Sequence, residues 1–343
     1  MLKRNLVLIV FLLVLAVTGA AAFFYPQLSS FIAEKESDVK TLRVLYGEWP
    51  PDLIAYLAQE KGYFEEEGVS VELVKIGGFE ELFELVDNNE ADVWPVTLLD
   101  AIIAYSEGKD WQIFLVEDYS AGADAVLVAE SQTDIESIED LKGKTVGLEE
   151  GTVGEFFLQI LLSRSGSSLE DLEIVDMSFD EIPAALADGS IDAGVTYEPA
   201  VTESVNQGAR VLVDTEKERG VIADVYAAHQ SELENYSEEY KKFMRAILKA
   251  ADFYNENPEE AAEIMKEPFE SDTDELLEGL SNLQITTHRD NQTAFDRNSG
   301  FASLYTGAKQ AEQYLEEEGI ITPAASLNEL FSNLIDELNY ESE

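Results

Sequence analysis

One stretch of this chain occurs twice. Residues 89–100 read NEADVWPVTLLD and residues 189–199 read GSIDAGVTYEP. Each opens on a turn after a helical stretch, then gives an Asp, a short apolar run and Val-Thr. The likeness extends upstream. LRVLYGEWPPDLIAYLAQEKGYF starts at Leu42 and KTVGLEEGTVGEFFLQILLSRSG starts at Lys144. Both are a β-rich run, a Gly/Glu loop and a helix with apolar residues at i, i+3, i+4: Ile54, Leu57, Ala58 and Phe157, Ile160, Leu161. A second β run follows each, VSVELVKI and LEIVDMS. The unit β-loop-helix-β-helix-β-turn therefore occurs twice. Strands separated by helices predict crossover connections and parallel sheets. The period is too long for a solenoid, so the duplication predicts two sibling α/β lobes.

Loops at the carboxyl ends of such strands, feeding helix starts, are where open α/β sheets bind ligands. Thr152-x-x-Glu155 and Ser178-x-x-Glu181 have the capping-box pattern, and Thr97-x-x-Asp100 is a variant. Thr196, ahead of Glu198 and Pro199, is another candidate helix start. Each hydroxyl has two readings, a cap alone or a cap that also faces a shared cleft.

The chain has 343 residues, enough for two or three domains. It has no Cys, which excludes a disulfide, a thiolate nucleophile or a cysteinyl metal site, and its two His, His229 and His288, support neither a His-rich metal site nor a catalytic relay. No cofactor is expected. Asp plus Glu number 70 against 22 Lys plus Arg, a formal net charge of −48, which excludes nucleic-acid binding through a basic surface. Hydrophobic residues make up 45%, so the acids belong to a folding chain and not to a disordered tail. Such a surface keeps a protein soluble in strong salt, where self-repulsion is screened, although an ordinary acidic protein is the alternative. On the high-salt reading the melting temperature rises between dilute buffer and molar salt, where the Debye length is about 3 Å. A flat or falling melting curve over that range removes it.

MLKRNLVLIVFLLVLAVTGAAAFFYPQLSS opens with Lys3 and Arg4, then runs without charge from Leu6 to Tyr25. A basic start and an apolar core predict export. Residues 1–25 are read as a signal peptide, with a cleavage site in Gly19 to Ala22, or as an uncleaved membrane anchor. Residues 26–40 then form a tether, and the rest works outside the cytoplasm.

Four segments carry a family resemblance. IAYLAQEKGYFEEEGVSVEL (54–73), EDYSAGADAVLV (117–128), IESIEDLKGKTVGLEEGTVGEFFL (135–158) and GSIDAGVTYEPAV (189–201) resemble signatures of the nitrate/sulfonate/taurine-type solute-binding proteins of ABC importers. The thiamine-pyrimidine-precursor proteins are of the same type. The resemblance covers about residues 42 to 265 and does not specify the ligand. It implies an α/β, two-lobed, periplasmic-binding-protein-like (type II) fold with a hinge and a cleft. Lobe one holds 40–126 and 226–343, and lobe two holds 127–225, with crossings near ADAVLVAE and IADVYAAH. Residues 270–343 match the family weakly and read as helices packing back on lobe one. The partners implied are a small-molecule solute, an ABC permease and its ATPase subunit, for a monomer that meets the membrane through its N-terminal segment.

The resemblance also places candidate ligand-binding residues. Trp49 is in the first loop, for ligand stacking, although a loop Trp can equally belong to the core. Thr97 is at the first copy's helix start. Asp118 and Asp124 flank YSAGA near the crossover. Glu150, Gly151 and Thr152 form the second lobe's first loop, Tyr197 and Glu198 its later loop, and Asp224 lies near the return crossing. The family's anion binders use N–H groups and hydroxyls at helix starts, which suits Thr97 and Thr152. The five acids with Trp49 and Tyr197 instead resemble an aromatic, carboxylate-lined box, which prefers an amine or other cation. A cationic organic solute is therefore placed ahead of a free oxyanion, and an amino-sulfonate satisfies both. The competing class is a thiamine-pyrimidine-synthase-like enzyme on the same fold. A sensory ectodomain lacks its second span and signalling domain here.

Overall fold

The computed structural model describes residues 40–47, 49–217, 220–269, 273–300, 303–322 and 326–340. The proposed signal or anchor segment, and all of the tether except Lys40, fall outside them. Among the described residues no helix is long and apolar enough to cross a membrane.

The first copy of the repeat gives β1 (Thr41–Tyr46), α1 (Leu53–Glu60), α2 (Tyr63–Glu67), β2 (Ser70–Lys75), α3 (Phe79–Asp87), β3 (Trp94–Thr97) and α4 (Leu98–Ser106). Two long strands follow, β4 (Trp111–Ser120) and β5 (Asp124–Val128). The second copy gives β6 (Thr145–Leu148), α5 (Val153–Ser165), β7 (Glu173–Asp176), α6 (Ile182–Asp188), β8 (Ala193–Tyr197) and α7 (Ala200–Asn206). Then come β9 (Arg210–Asp214), β10 (Ala223–His229), α8 (Gln230–Asn235), α9 (Ser237–Glu256), α10 (Pro258–Phe269), α11 (Thr273–Ser281), β11 (Leu283–Ile285), α12 (His288–Phe295) and α13 (Leu304–Glu317).

The repeated Asp ties each unit together. Asp92 Oδ2 accepts the Arg43 N–H at 2.9 Å, and Asp192 Oδ2 accepts the Thr145 N–H at 2.9 Å. In both copies the Asp before the third strand of the unit clamps the start of its first. The amphipathic helices also form where the periodicity places them. α1 buries Leu53, Ile54, Leu57 and Ala58, and α5 buries Phe157, Ile160 and Leu161. Two glycines let α6 lie close on its sheet. A Cβ on Gly194 would stand 2.6 Å from Ile182 Cγ2, and one on Gly147 would stand 3.0 Å from Ile182 Cδ1.

The strands form a four-stranded sheet, β11-β4-β10-β3, a five-stranded sheet, β7-β6-β8-β5-β9, and the pair β1-β2. The expected parallel pairing holds for β6 with β7 and β8, and for the bridge Val44–Val93. It fails for β4, β5, β9, β10 and β11, whose strand-to-strand pairings are antiparallel, although β4 also makes an isolated parallel bridge, Ile113 with Phe331. The physical reason is connectivity. The chain passes from β4 to β5 through residues 121–123, and from β9 back to β10, with no crossover helix to set a parallel direction. The C-terminal part is not wholly helical. β11 pairs with β4, and α11 to α13 add Leu276, Leu280, Ala308 and Leu315 to the core that contains β1, β3, β4 and β10.

Candidate functional site

Three of the sequence-selected residues fall in one row. Asp224 on β10 is the Cα partner of Thr97 on β3 and of Asp118 on β4. Residues directly opposite in antiparallel strands share a face, and like charges so placed repel. The next pairing down is Val225 with Val116, so Glu117 is an extra residue in β4. Such a β-bulge re-aims a side chain that strict alternation would send to the other face. Glu117 is 4% exposed and Asp118 0%. Oδ1 of Asp118 has no hydrogen-bond partner, and the donor beside the Glu117 carboxyl is the Tyr226 phenol.

Two further buried carboxyls join them. Asp52 closes the 3-10 turn Pro50–Asp52 ahead of α1, and its Oδ2 accepts the Gly47 N–H at 2.5 Å. Asp124 opens β5 opposite Tyr197 of β8. Burial, opposed by the Gly47 N–H, pushes Asp52 up to about 7. Burial, reinforced by Glu198 and opposed by the Ser120 hydroxyl, pushes Asp124 up to about 6. Glu117, Asp118 and Asp224 all stand well above the carboxylate range. Burial is the first cause for each, and the repulsion of neighbouring acids adds to it: Asp52 acts on Glu117 and Asp118, and Asp118 acts on Asp224. Among the described residues, the groups that move these five carboxyls are other acids and N–H or O–H donors. Beside Glu117 the Tyr226 phenol is pushed up as well, by burial first.

Aromatic rings cover this cluster. Trp49 Nε1 donates to Asp118 Oδ2 at 3.4 Å. The Trp49 ring meets Tyr197 edge-on, centroids 6.4 Å apart at 83°, and Tyr197 stacks on Phe179 at 4.6 Å. Tyr197 is raised to about 12 by burial, then by Glu149, Asp124 and Asp180.

In both copies, N–H groups in the loop after the first strand are taken by the chain's own acids. In the first copy the Gly47 N–H goes to Asp52. At the matching place in the second copy the Gly151 N–H goes to Glu155 Oε2 at 2.6 Å, and the Glu150 N–H to Asp176 Oδ1 at 3.2 Å. Thr97 Oγ1 donates to Asp100 Oδ2 at 2.6 Å while accepting the Asp100 N–H, so this cap is as expected.

Other capping expectations need correction. Thr152 makes no cap bond: its hydroxyl donates to the Glu149 carbonyl, and Glu155 reaches Gly151 instead. Ser178 closes a turn with Glu181 ahead of α6 and is not that helix's cap. Thr196 lies inside β8 and donates to the Phe179 carbonyl. Glu198 stands before α7 rather than in its first turn, and holds the Thr202 N–H and hydroxyl, both at 3.0 Å. It also accepts Asn282 Nδ2 at 3.0 Å. Glu150 and Gly151 are exposed. The structure thus gathers Trp49, Thr97, Asp118, Asp124, Tyr197 and Asp224, adds Asp52 and Glu117, and gives Gly151, Thr152 and Glu198 partners close by in sequence, Glu150 one on Asp176 of β7, and Glu198 a further one on Asn282. A cavity of about 560 Å³ lies elsewhere, bordered by Gly122, Glu198, Asp214, Asn255 and Asn282. It takes in none of the row residues.

Two α/β halves joined by β4–β5 and β9–β10, with acids set at those crossings, define the periplasmic-binding-protein fold. The crystal structure of the periplasmic aliphatic sulphonate binding protein SsuA from Escherichia coli has this fold; it superposes with a TM-score of 0.69 over 82% of this chain and 88% of that one, at 16% identity. The chain belongs to the NMT1/THI5-like family, whose model matches residues 50–261. A Bacillus subtilis protein provisionally named as aliphatic sulfonates-binding is 25% identical over 238 residues, 66% of this chain and 70% of its own length. The formylaminopyrimidine-binding protein of Halalkalibacterium halodurans is 26% identical over 255 residues, 71% of this chain and 76% of its own. A 4-amino-5-hydroxymethyl-2-methylpyrimidine phosphate synthase from Aspergillus parasiticus is 26% identical over 226 residues, 61% and 64%.

Proposed function

We propose that this chain is the extracytoplasmic solute-binding subunit of an ABC importer. It captures a small amine-bearing organic solute between lobe one (40–126 and 226–343) and lobe two (127–225), and hands it to a permease driven by an ATPase subunit. The N-terminal segment exports the protein or holds it at the membrane. Asp118, Asp124 and Asp224 ion-pair the ammonium group, Trp49 and Tyr197 supply aromatic faces, and Thr97 borders the row. Glu198 serves the start of α7 and the link to Asn282. The binding proteins among its relatives support the role.

The observation that carries the amine reading is the pair of filled loops. Asp52 and Glu155 hold the loop N–H groups of Gly47 and Gly151, of the kind that would hold a sulfonate, and an unpartnered carboxylate oxygen of Asp118 lies in the row that Asp52 acts on. An amine supplies donors to that oxygen, whereas a sulfonate adds negative charge. The synthase reading has one support, the Aspergillus relative. Against it, His229 is bonded to Asp110 and packs on Trp94, while His288 packs on Tyr340, so neither ring belongs to the row.

Thermal shift with butylamine, taurine and butanesulfonate tests the reading. Butylamine is expected to raise the melting temperature, with a stabilisation of about 2.7 kcal/mol at 100 times its Kd. Stabilisation by butanesulfonate and none by butylamine overturns it.

A further inference from the structure

We propose that the solute carries two separated ammonium groups, an alkanediamine in its simplest form. This rests on the amine reading and narrows it.

The acids fall into two sets. One is on the four-stranded sheet, where Asp118 and Asp224 face each other across adjacent strands and the bulge brings Glu117 beside them. Asp52 acts on this set from the turn ahead of α1, and Asp124 acts on Asp118 and Asp224 as well. The other is Asp124, on the five-stranded sheet and opposite Tyr197. A single ammonium has three N–H donors. In the first set alone Asp118 Oδ1 is buried with no hydrogen-bond partner, and the Glu117 carboxyl has only the Tyr226 phenol beside it. One cation placed there faces Glu117, Asp118 and Asp224 together with the field of Asp124, so a single positive charge leaves acids over, and a buried unpaired charge is strongly unfavourable. A second cationic group answers it. Among the described residues, no three acids or imidazoles converge as they would around one metal ion. That dispersion suits charges spread along a chain. Trp49 and Tyr197 reach both sets: the Trp49 indole N–H bonds Asp118, and Tyr197 pairs with Asp124 across the ladder. Methylenes can pack on such rings while ammonium groups reach the acids at either side.

The test is calorimetric titration of the full chain at pH 7.5 with butylamine, 1,3-diaminopropane, 1,4-diaminobutane, 1,6-diaminohexane and calcium. One diamine is expected to bind at least tenfold tighter than butylamine, about the least that one more hydrogen bond to a charged group gives. Affinity should pass through a maximum with chain length. In Asp124→Asn the ratio of diamine to butylamine affinity should fall toward one, and Asp224→Asn serves if that variant does not fold. Equal affinity for butylamine and every diamine overturns the second charge and leaves the amine reading standing. Binding of none of the amines removes both. Calcium binding that diamines do not compete with assigns the acids to a metal ion and overturns the proposal.

Discussion

Replacing Asp118 by Asn is expected to weaken amine binding by roughly 10- to 150-fold, the range for losing a hydrogen bond to a charged group. The same change is expected to raise the melting temperature of the solute-free protein at pH 8. Asp118 is wholly buried, stands opposite Asp224, and has one oxygen with no partner. Asn keeps an oxygen for the Trp49 indole N–H and removes a charge that its neighbours repel. Relief of buried like-charge repulsion contributes on the order of 1–3 kcal/mol, and each kcal/mol moves the midpoint by about 2–4 °C. The opposite signs are the diagnostic, because a residue serving only the fold would lower stability and leave affinity alone. Calorimetry and thermal melts on wild type and variant read both. Unchanged affinity, or a lower melting temperature with weakened binding, contradicts the assignment.

The solute-free protein is also expected to lose stability as pH rises from about 4 to 8, the reverse of a protein held by salt-bridged carboxylates. A carboxyl whose folded-state value is raised binds its proton more tightly when folded. Its contribution is full below the unfolded value and is lost as pH rises through the folded one. Asp52 moves from 3.8 to about 7 and Asp124 from 3.8 to about 6. At about 1.36 kcal/mol per pH unit these are on the order of 4 and 3 kcal/mol. Surface acids titrate lower and repel less when protonated, so the melts belong in molar salt, which screens exposed charges and leaves buried ones. The Asp52→Asn/Asp124→Asn double variant should flatten the curve. A wild-type curve that is already flat between pH 5 and 8 in molar salt contradicts the buried cluster. Saturating diamine should reverse the slope, since it binds the ionised acids.

How much of this was legible in the sequence depended on locality. The repeat, its helices and most strands are local patterns, and they could be read directly. Trp49, Thr97, Asp118, Asp124, Tyr197 and Asp224 sat at strand ends and crossings, where repetition and resemblance directed attention. Asp52 was missed because an Asp at a helix start needs no further explanation, and nothing local shows that it reaches back to Gly47. Glu117 was missed because alternation puts it on the face away from Asp118; only pairing with β10 shows the bulge. A signal existed, since two adjacent acids within the apolar run WQIFLVEDYS are unusual for a buried strand. Among 70 acids it did not stand out. Thr152 and Thr196 failed for a related reason. Thr152-x-x-Glu155 and Thr196 ahead of Glu198 and Pro199 are local patterns, but which N–H groups are left without partners is decided by where the strand ends. β11 is three residues long, too short for any periodicity, and depends on β4 for its existence.

The bulge also means that the charge of the pocket is controlled by strand length. Val116 and Asp118 already pair with consecutive residues of β10, so deleting Glu117 would restore an unbroken ladder around it. One codon gained or lost would then change the number of acids in the row, at the cost of the Glu117 carbonyl that takes the Thr286 N–H at 3.0 Å just after β11. Relatives that agree at every other position of β4 could therefore differ in the charge of what they carry, and a percentage of identity would not register it. Within such a family, counting residues between paired positions of β4 and β10 should predict solute charge better than overall similarity does.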